Sequence, residues 1–225
     1  KTCPKAKDKL VVINPGLESA SKPSVPKELL DQLSKKYHLE NKPLILTVGR
    51  LVERKGVDKT IEAVAQLLPE NPSLRYTIVG AGPYLKNCQE LVKKLGLEKQ
   101  VIFITDADDL ERAAWYQLAD VFIMPSRQIG DDFEGFGIVY LEANQAGKPV
   151  IAGQGGGVRD AVADGVSGLM VNPEVVPEIT AALSKLLDNQ VLREQLGQGG
   201  QKRLVNFLWP EQARKLDQFL NNLYK

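Results

Sequence analysis

The 225-residue sequence predicts an α/β fold, a parallel sheet covered by helices on both faces. Three observations predict it. From residue 43 onward, five short apolar runs alternate with helical patterns. The runs are continuous rather than alternating apolar and polar, so both faces of each strand are buried. Each run ends in a turn signal, and glycine motifs follow the first, second and fifth runs. Sheets of this kind bind ligands at the carboxyl ends of their strands.

The elements follow in order. Residues 10–13 form a short apolar run ending in Asn14-Pro15-Gly16 and are expected to be a strand. Residues 19–26, rich in Ser and Pro, read as a loop, and residues 27–38 as one amphipathic helix. Strands are expected at 44–48, 76–79, 101–104, 121–124 and 150–152, with helices at 57–68, 85–95, 110–118 and 138–145 between them. The last third reads as helical, with apolar spacings of three and four over 175–187 and 191–205. Pro210 suits a first helical turn and opens a final helix to about residue 223.

Bulk composition narrows the function classes. The chain is 43% hydrophobic and 25% charged with a net charge of +1, so nothing calls for a nucleic-acid partner or an anionic membrane. Cys3 and Cys88 have no CxxC spacing and fit a reducing compartment without a disulfide framework. No run of about 18 apolar residues is present. No signal peptide is visible, and a chain starting at Lys1 rather than Met reads as a piece of something longer.

The most informative stretch is Glu134-Gly135-Phe136-Gly137-Ile138-Val139-Tyr140-Leu141-Glu142. A two-glycine loop entering a helix offers free backbone N–H groups and the positive end of a helix dipole, which suits phosphate. A carboxylate at either end can accept hydrogen bonds from sugar hydroxyls. With the helix starting near Gly137, Glu142 lies roughly 7–8 Å along its axis, about the reach from a diphosphate to a ribose. A nucleotide-sugar site fits this better than an acid/base pair on one bond.

Other motifs are weighed beside it. Arg50, after Gly49, and Lys55, before Gly56, could clamp a diphosphate, or equally be solvated charges beside Glu53 and Arg54. Gly80-Ala81-Gly82-Pro83 lacks the third glycine of a dinucleotide fingerprint and reads as a tight turn. Asp106-Ala107-Asp108 has a metal-binding spacing, but Asp108 or Asp109 suits the N-cap of the next helix better. Asp131-Asp132 has no His or Cys nearby. The glycines of residues 153–157 serve either close approach to a ligand or a flexible turn. His38, the only histidine, reads as a surface residue far in sequence from the glycine turns. No Ser-His-Asp set and no NTPase P-loop can be assembled.

Taken in order, these motifs resemble the C-terminal, donor-binding domain of a retaining glycosyltransferase of family 4 (glycosyl transferases group 1). The resemblance runs from about Val11 to the end. It rests on Val48-Gly49-Arg50-Leu51, Glu53-Arg54-Lys55-Gly56, Val79-Gly80-Ala81-Gly82-Pro83, residues 120–126, the Glu134–Glu142 stretch with Ala143, Ala146-Gly147-Lys148-Pro149-Val150, Gly156-Gly157 and Asp164-Gly165-Val166-Ser167-Gly168-Leu169.

The resemblance implies a Rossmann-like sheet forming the C-terminal half of a two-domain GT-B fold. Residues 1–42 would be the crossing segment from a missing N-terminal acceptor domain. Residues 43–205 would bind the donor, and residues 206–225 would return toward the missing half, with Leu216, Phe219, Leu220 and Leu223 partly unpaired. It implies that Arg50, Lys55 and Glu134 are catalytic: the two cations hold the diphosphate and Glu134 accepts from donor-sugar hydroxyls. Gly49, Gly80, Gly135, Phe136, Gly137 and Ile138 would help bind the donor, with the base near Thr105 and the ribose on Glu142. No metal or other cofactor is expected.

The implied reaction is hexose transfer from a nucleoside diphosphate, UDP-glucose-like on family frequency, to a saccharide or lipid-linked acceptor in polysaccharide or glycoconjugate synthesis. The alternatives are a nucleotide-sugar-binding module inactive alone, or a related phosphorylase or epimerase. The expected location is cytoplasmic, with peripheral membrane contact of the parent enzyme allowed.

Overall fold

A computed structural model describes residues 10–223; of Leu223 only the backbone is described. Cys3 and the first nine residues of the expected crossing segment lie outside the described residues. The chain forms β1 (Leu44–Val48), β2 (Arg75–Val79), β3 (Val101–Ile104), β4 (Val121–Met124), β5 (Val150–Gly153) and β6 (Gly168–Val171). Around them lie α1 (Lys27–Lys36), α2 (Val57–Leu67), α3 (Leu85–Lys94), α4 (Asp109–Leu118) and α5 (Ile138–Gln145). These are followed by α6 (Val158–Ala161), α7 (Val176–Leu187), α8 (Gln190–Arg203) and α9 (Trp209–Leu223).

All six strands are parallel, in the order β3-β2-β1-β4-β5-β6. The fold is therefore Rossmann-like. The strand order reverses between β1 and β4, where Ile45 pairs with Val121 and Leu46 with Phe122. Loops leaving those two strands must diverge to opposite sides, and this opens a crevice at the carboxyl edge of the sheet.

Side-chain alternation explains why the apolar runs are continuous. Leu44, Leu46, Val48, Phe122, Met124, Val150 and Ala152 pack on one face, with Trp115, Tyr140 and Leu141. Ile45, Ile78, Val121, Ile123 and Ile151 pack on the other, with Ile61, Val64, Ile179 and Leu183. Each fully buried aliphatic side chain contributes about 1.5–3 kcal/mol. Thr47 is the polar exception in β1; its hydroxyl bonds the Ile123 carbonyl at 2.5 Å and Tyr76 Oη at 2.8 Å.

Two expectations fail. Residues 10–13 are not a strand: Leu10 and Val12 stand exposed, and the segment first pairs at Leu17, whose N–H donates to Phe207 at 2.7 Å and whose carbonyl accepts from Trp209 at 3.0 Å. An apolar run becomes a strand only where an edge is open to it. The last third is not wholly helical either. The edge strand β6 lies there. β6 is short and begins with glycine, because a methyl group at Gly168 would overlap the Val150 carbonyl oxygen. No helix among the described residues is long and apolar enough to cross a membrane.

Candidate functional site

The loop after β1 builds one wall of the crevice. Gly49 and Gly80 both have positive φ, and a methyl group at Gly80 would overlap the Gly49 carbonyl. The Gly80–Pro83 turn is bonded to this loop: Leu51 N–H donates to the Ala81 carbonyl at 2.9 Å, and Tyr84 N–H to that of Leu51 at 3.0 Å. That is the tight-turn role. A 3-10 turn over Glu53–Lys55 follows, closed by Gly56 in the left-handed region against the Pro125 carbonyl. This turn carries Lys55 inward, to 9% exposure. Arg50 remains exposed and makes no ion pair among the described residues.

The loop after β4 builds the facing wall. Glu134 is 8% exposed, and its Oε2 accepts from Lys55 Nζ at 2.5 Å and from Arg54 Nη1 at 2.8 Å. Arg54 Nε also pairs with Asp132 Oδ1 at 2.9 Å. Behind these groups the buried Arg127 binds Asp58 at 2.8 Å, with Glu53 and Glu174 at 3.5 and 3.6 Å. Buried charges persist only when paired in this way; removing one partner of a buried pair typically costs about 3–5 kcal/mol.

Between the walls, Gly137 turns the chain into α5 with φ of +83°, where a methyl group would overlap the Tyr140 ring. Phe136 is buried against Phe207, ring centroids 5.8 Å apart. A cavity of about 570 Å³ opens here, lined by Asn14, Pro15, Lys55, Glu134 and residues 135–139. The N-terminus of α5 faces this space with the N–H groups of its first turn, of which that of Tyr140 turns back to the Gly137 carbonyl at 3.0 Å.

Glu142 lies one and a half turns further along α5 and faces an adjoining cavity of about 640 Å³. That cavity is walled by residues 16–19 and 21–23 together with Arg112, and Ile138 lines both spaces. Tyr116 Oη donates to Glu142 Oε2 at 2.7 Å. Burial and the adjacent Glu142 charge hold the Tyr116 phenol well above its ordinary pKa, so it remains a donor.

The structure thus brings Lys55, Glu134 and residues 135–138 into one cavity, with Glu142 in the next. Arg50 and Thr105 sit exposed at the same carboxyl edge, and Gly49 and Gly80 with them, outside the linings of both cavities. Asp108 caps α4 by accepting from Glu111 N–H at 2.7 Å. His38 is exposed, with φ of +54°. The glycines of 153–157 approach the chain itself: methyl groups at Gly153, Gly156 and Gly157 would overlap the carbonyls of Ser126, Glu134 and Gly135. Among the described residues no group of three or more His, Cys, Asp or Glu side chains could hold a metal ion.

Sequence reasoning missed Arg54, Tyr116 and Arg127, and weighed Asp132 only as a metal ligand. Arg54 had one signal, its place beside Lys55. Tyr116 had none, because a tyrosine on the buried face of a helix reads as core.

Residues 31–203 match the family model described as glycosyl transferases group 1. A GDP-mannose-dependent alpha-(1-6)-phosphatidylinositol monomannoside mannosyltransferase of Mycolicibacterium smegmatis is 37% identical over 193 residues, covering 84% of this chain and 50% of that protein. The chain spans about half the length of the curated relatives it matches. Among solved structures, a sucrose-phosphate synthase from Thermosynechococcus elongatus superposes with a TM-score of 0.78 at 28% identity, covering 94% of this chain and 52% of that one. The C-terminal domain of a glycosyl transferase group 1 family protein from Francisella tularensis superposes with a TM-score of 0.68 at 31% identity, covering 81% and 93%. The chain belongs to the glycosyl transferases group 1 family, as the C-terminal half of a GT-B fold.

Proposed function

We propose that this chain is the donor-binding half of a retaining hexosyltransferase. The nucleoside-diphosphate sugar lies along the crevice between the β1 and β4 loops. Its diphosphate meets Lys55, Arg50 and the N–H groups at the start of α5; its sugar meets Glu134, its ribose Glu142, and its base the backbone by Thr105. The cations stabilise the charge that develops on the leaving diphosphate, so this reading needs no metal. The departing phosphate oxygen takes the acceptor's proton on the same face, which retains the anomeric configuration. The observation that carries this reading is the placing of the Lys55 amine and the Glu134 carboxylate in one cavity at the first turn of α5.

For the donor, GDP-mannose is now the first candidate, because the mannosyltransferase of M. smegmatis is described as dependent on it. UDP-glucose, preferred on family frequency, is the second. The acceptor, a saccharide or a lipid-linked group, binds on an N-terminal domain reached through the segment before α1 and through α9.

Calorimetry of this chain with GDP, UDP and their sugars tests the site and ranks the bases. A panel with no binding overturns the reading. In the full-length protein, Lys55→Ala or Glu134→Ala lowers turnover about 100- to 1,000-fold, the usual effect of deleting one transition-state contact. Near wild-type rates in either variant overturn the assignment.

A further inference from the structure

Arg54 lines neither cavity, yet it fastens the β4 loop at three points. Its carbonyl accepts from Arg127 N–H at 2.7 Å. Its Nε meets Asp132 Oδ1 at 2.9 Å, and its Nη1 meets Glu134 Oε2 at 2.8 Å. The loop between these points doubles back on itself, with Ile129 and Asp132 exchanging backbone hydrogen bonds of 2.9 and 3.0 Å around Gly130. One residue therefore ties both ends of the segment that delivers Glu134 to the turn that delivers Lys55. Lys55 Nζ sits on the same Glu134 oxygen, at 2.5 Å.

We propose that Arg54 is a positioning residue, holding the Glu134 carboxylate in place and charge-paired when Lys55 turns from it to the donor's diphosphate. The proposal rests on the donor-site reading above. Without a ligand the four groups form a neutral set, Arg54 and Lys55 against Asp132 and Glu134. An entering diphosphate competes with Glu134 for the single charge of Lys55. Without Arg54, Glu134 would then face the phosphates as an uncompensated anion and swing from the sugar. A planar guanidinium spans two carboxylates at fixed angles; an ammonium is a point charge and holds one of them well. Asp132 steadies the guanidinium from the far side.

The test uses the full-length protein with Arg54→Met, Arg54→Lys and Asp132→Asn. Arg54→Met is expected to lower kcat about 100-fold with KM for the nucleotide sugar and affinity for free nucleoside diphosphate changed less than about threefold, since geometry at the sugar is lost while phosphate binding stays. Arg54→Lys should recover part of that loss. Asp132→Asn, on a side chain 64% exposed, leaves the fold intact and should lower kcat about 5- to 10-fold, and adding it to Arg54→Met should cost nothing further. A wild-type kcat in Arg54→Met, an equal loss in kcat and nucleotide affinity, or additive effects of the two changes overturns the proposal. If Arg54→Met fails to fold, wild-type kcat in both Arg54→Lys and Asp132→Asn overturns it. Glu134→Ala separates the two claims: an inactive Glu134→Ala beside a fully active Arg54→Met sinks only the role of Arg54, and an active Glu134→Ala sinks the donor site itself.

Discussion

At the scale of single residues, the candidate site is built from charges whose partners come from elsewhere in the chain. Lys55 and Glu134 stand out in the sequence because each lies in a motif whose spacing suits phosphate and sugar, and the structure brings them into one cavity. Their direct pairing was not legible, because it joins positions 79 residues apart. Tyr116 was equally hidden, although it fixes one oxygen of Glu142 and leaves the other for a ligand. If Glu142 holds the ribose as proposed, the Tyr116 hydroxyl contributes by aligning it. Tyr116→Phe should therefore weaken nucleoside diphosphate binding about three- to tenfold, the net worth of one ordinary hydrogen bond, because the contact acts on the ligand only through Glu142. Calorimetry checks this; the same change leaves affinity for inorganic pyrophosphate, which has no ribose, as in the unmodified chain. Asp108 shows the reverse case. Its D-x-D spacing suggested a metal, and its position one residue before α4 suggested a cap, which is what its side chain does.

At the scale of elements, the central strands and their helices could be read to within a residue or two, because burial on two faces leaves a period no loop mimics. The misses have separate causes. β6 is four residues at the sheet edge with Leu169 and Met170 only partly covered, so its run is too short and too mixed to stand out. Residues 10–13 had the composition of a strand and no edge to join. The glycine-rich loop after β5 had two equal readings, and packing decides between them: it is a bed beneath the β4 loop, with Gly157 N–H donating to the Glu134 carbonyl at 3.0 Å. A methyl group at Gly157 would press on the Gly135 carbonyl at the cavity floor, although the backbone there needs no positive φ. Gly157→Ala should destabilise the chain by about 1–3 kcal/mol through overpacking and lower donor affinity with it. Gly155→Ala is the control, since its nearest neighbour would be the Ser126 carbonyl at 4.0 Å. Thermal unfolding and calorimetry of both variants decide this, and equal behaviour would mean that the bed is compliant.

At the scale of the molecule, strand order places the site, and the sheet divides the core in two. The reversal between β1 and β4 lets the loops that leave Val48 and Met124, 76 residues apart in sequence (124 − 48), close on one crevice. α9 begins against Leu17 and leaves Leu216 and Leu220 at 45% and 42% exposure; the Leu223 side chain lies outside the described residues. Buried phenols stand on both sides of the sheet: Tyr76 on one, Tyr116 and Tyr140 on the other. Burial is the first cause in each case, and all three phenols are held above their ordinary pKa. In the unfolded chain they lose protons near pH 10, while in the fold they keep them. The folded state then binds more protons than the unfolded one, so stability is complete below pH 10 and falls as pH rises. Three phenols give a slope of about 4 kcal/mol per pH unit above pH 10. On alkaline titration the phenolate absorbance of the buried three should therefore rise together with the loss of helical circular dichroism. Ionisation of the buried three ahead of that loss would mean that the two sides of the core open separately.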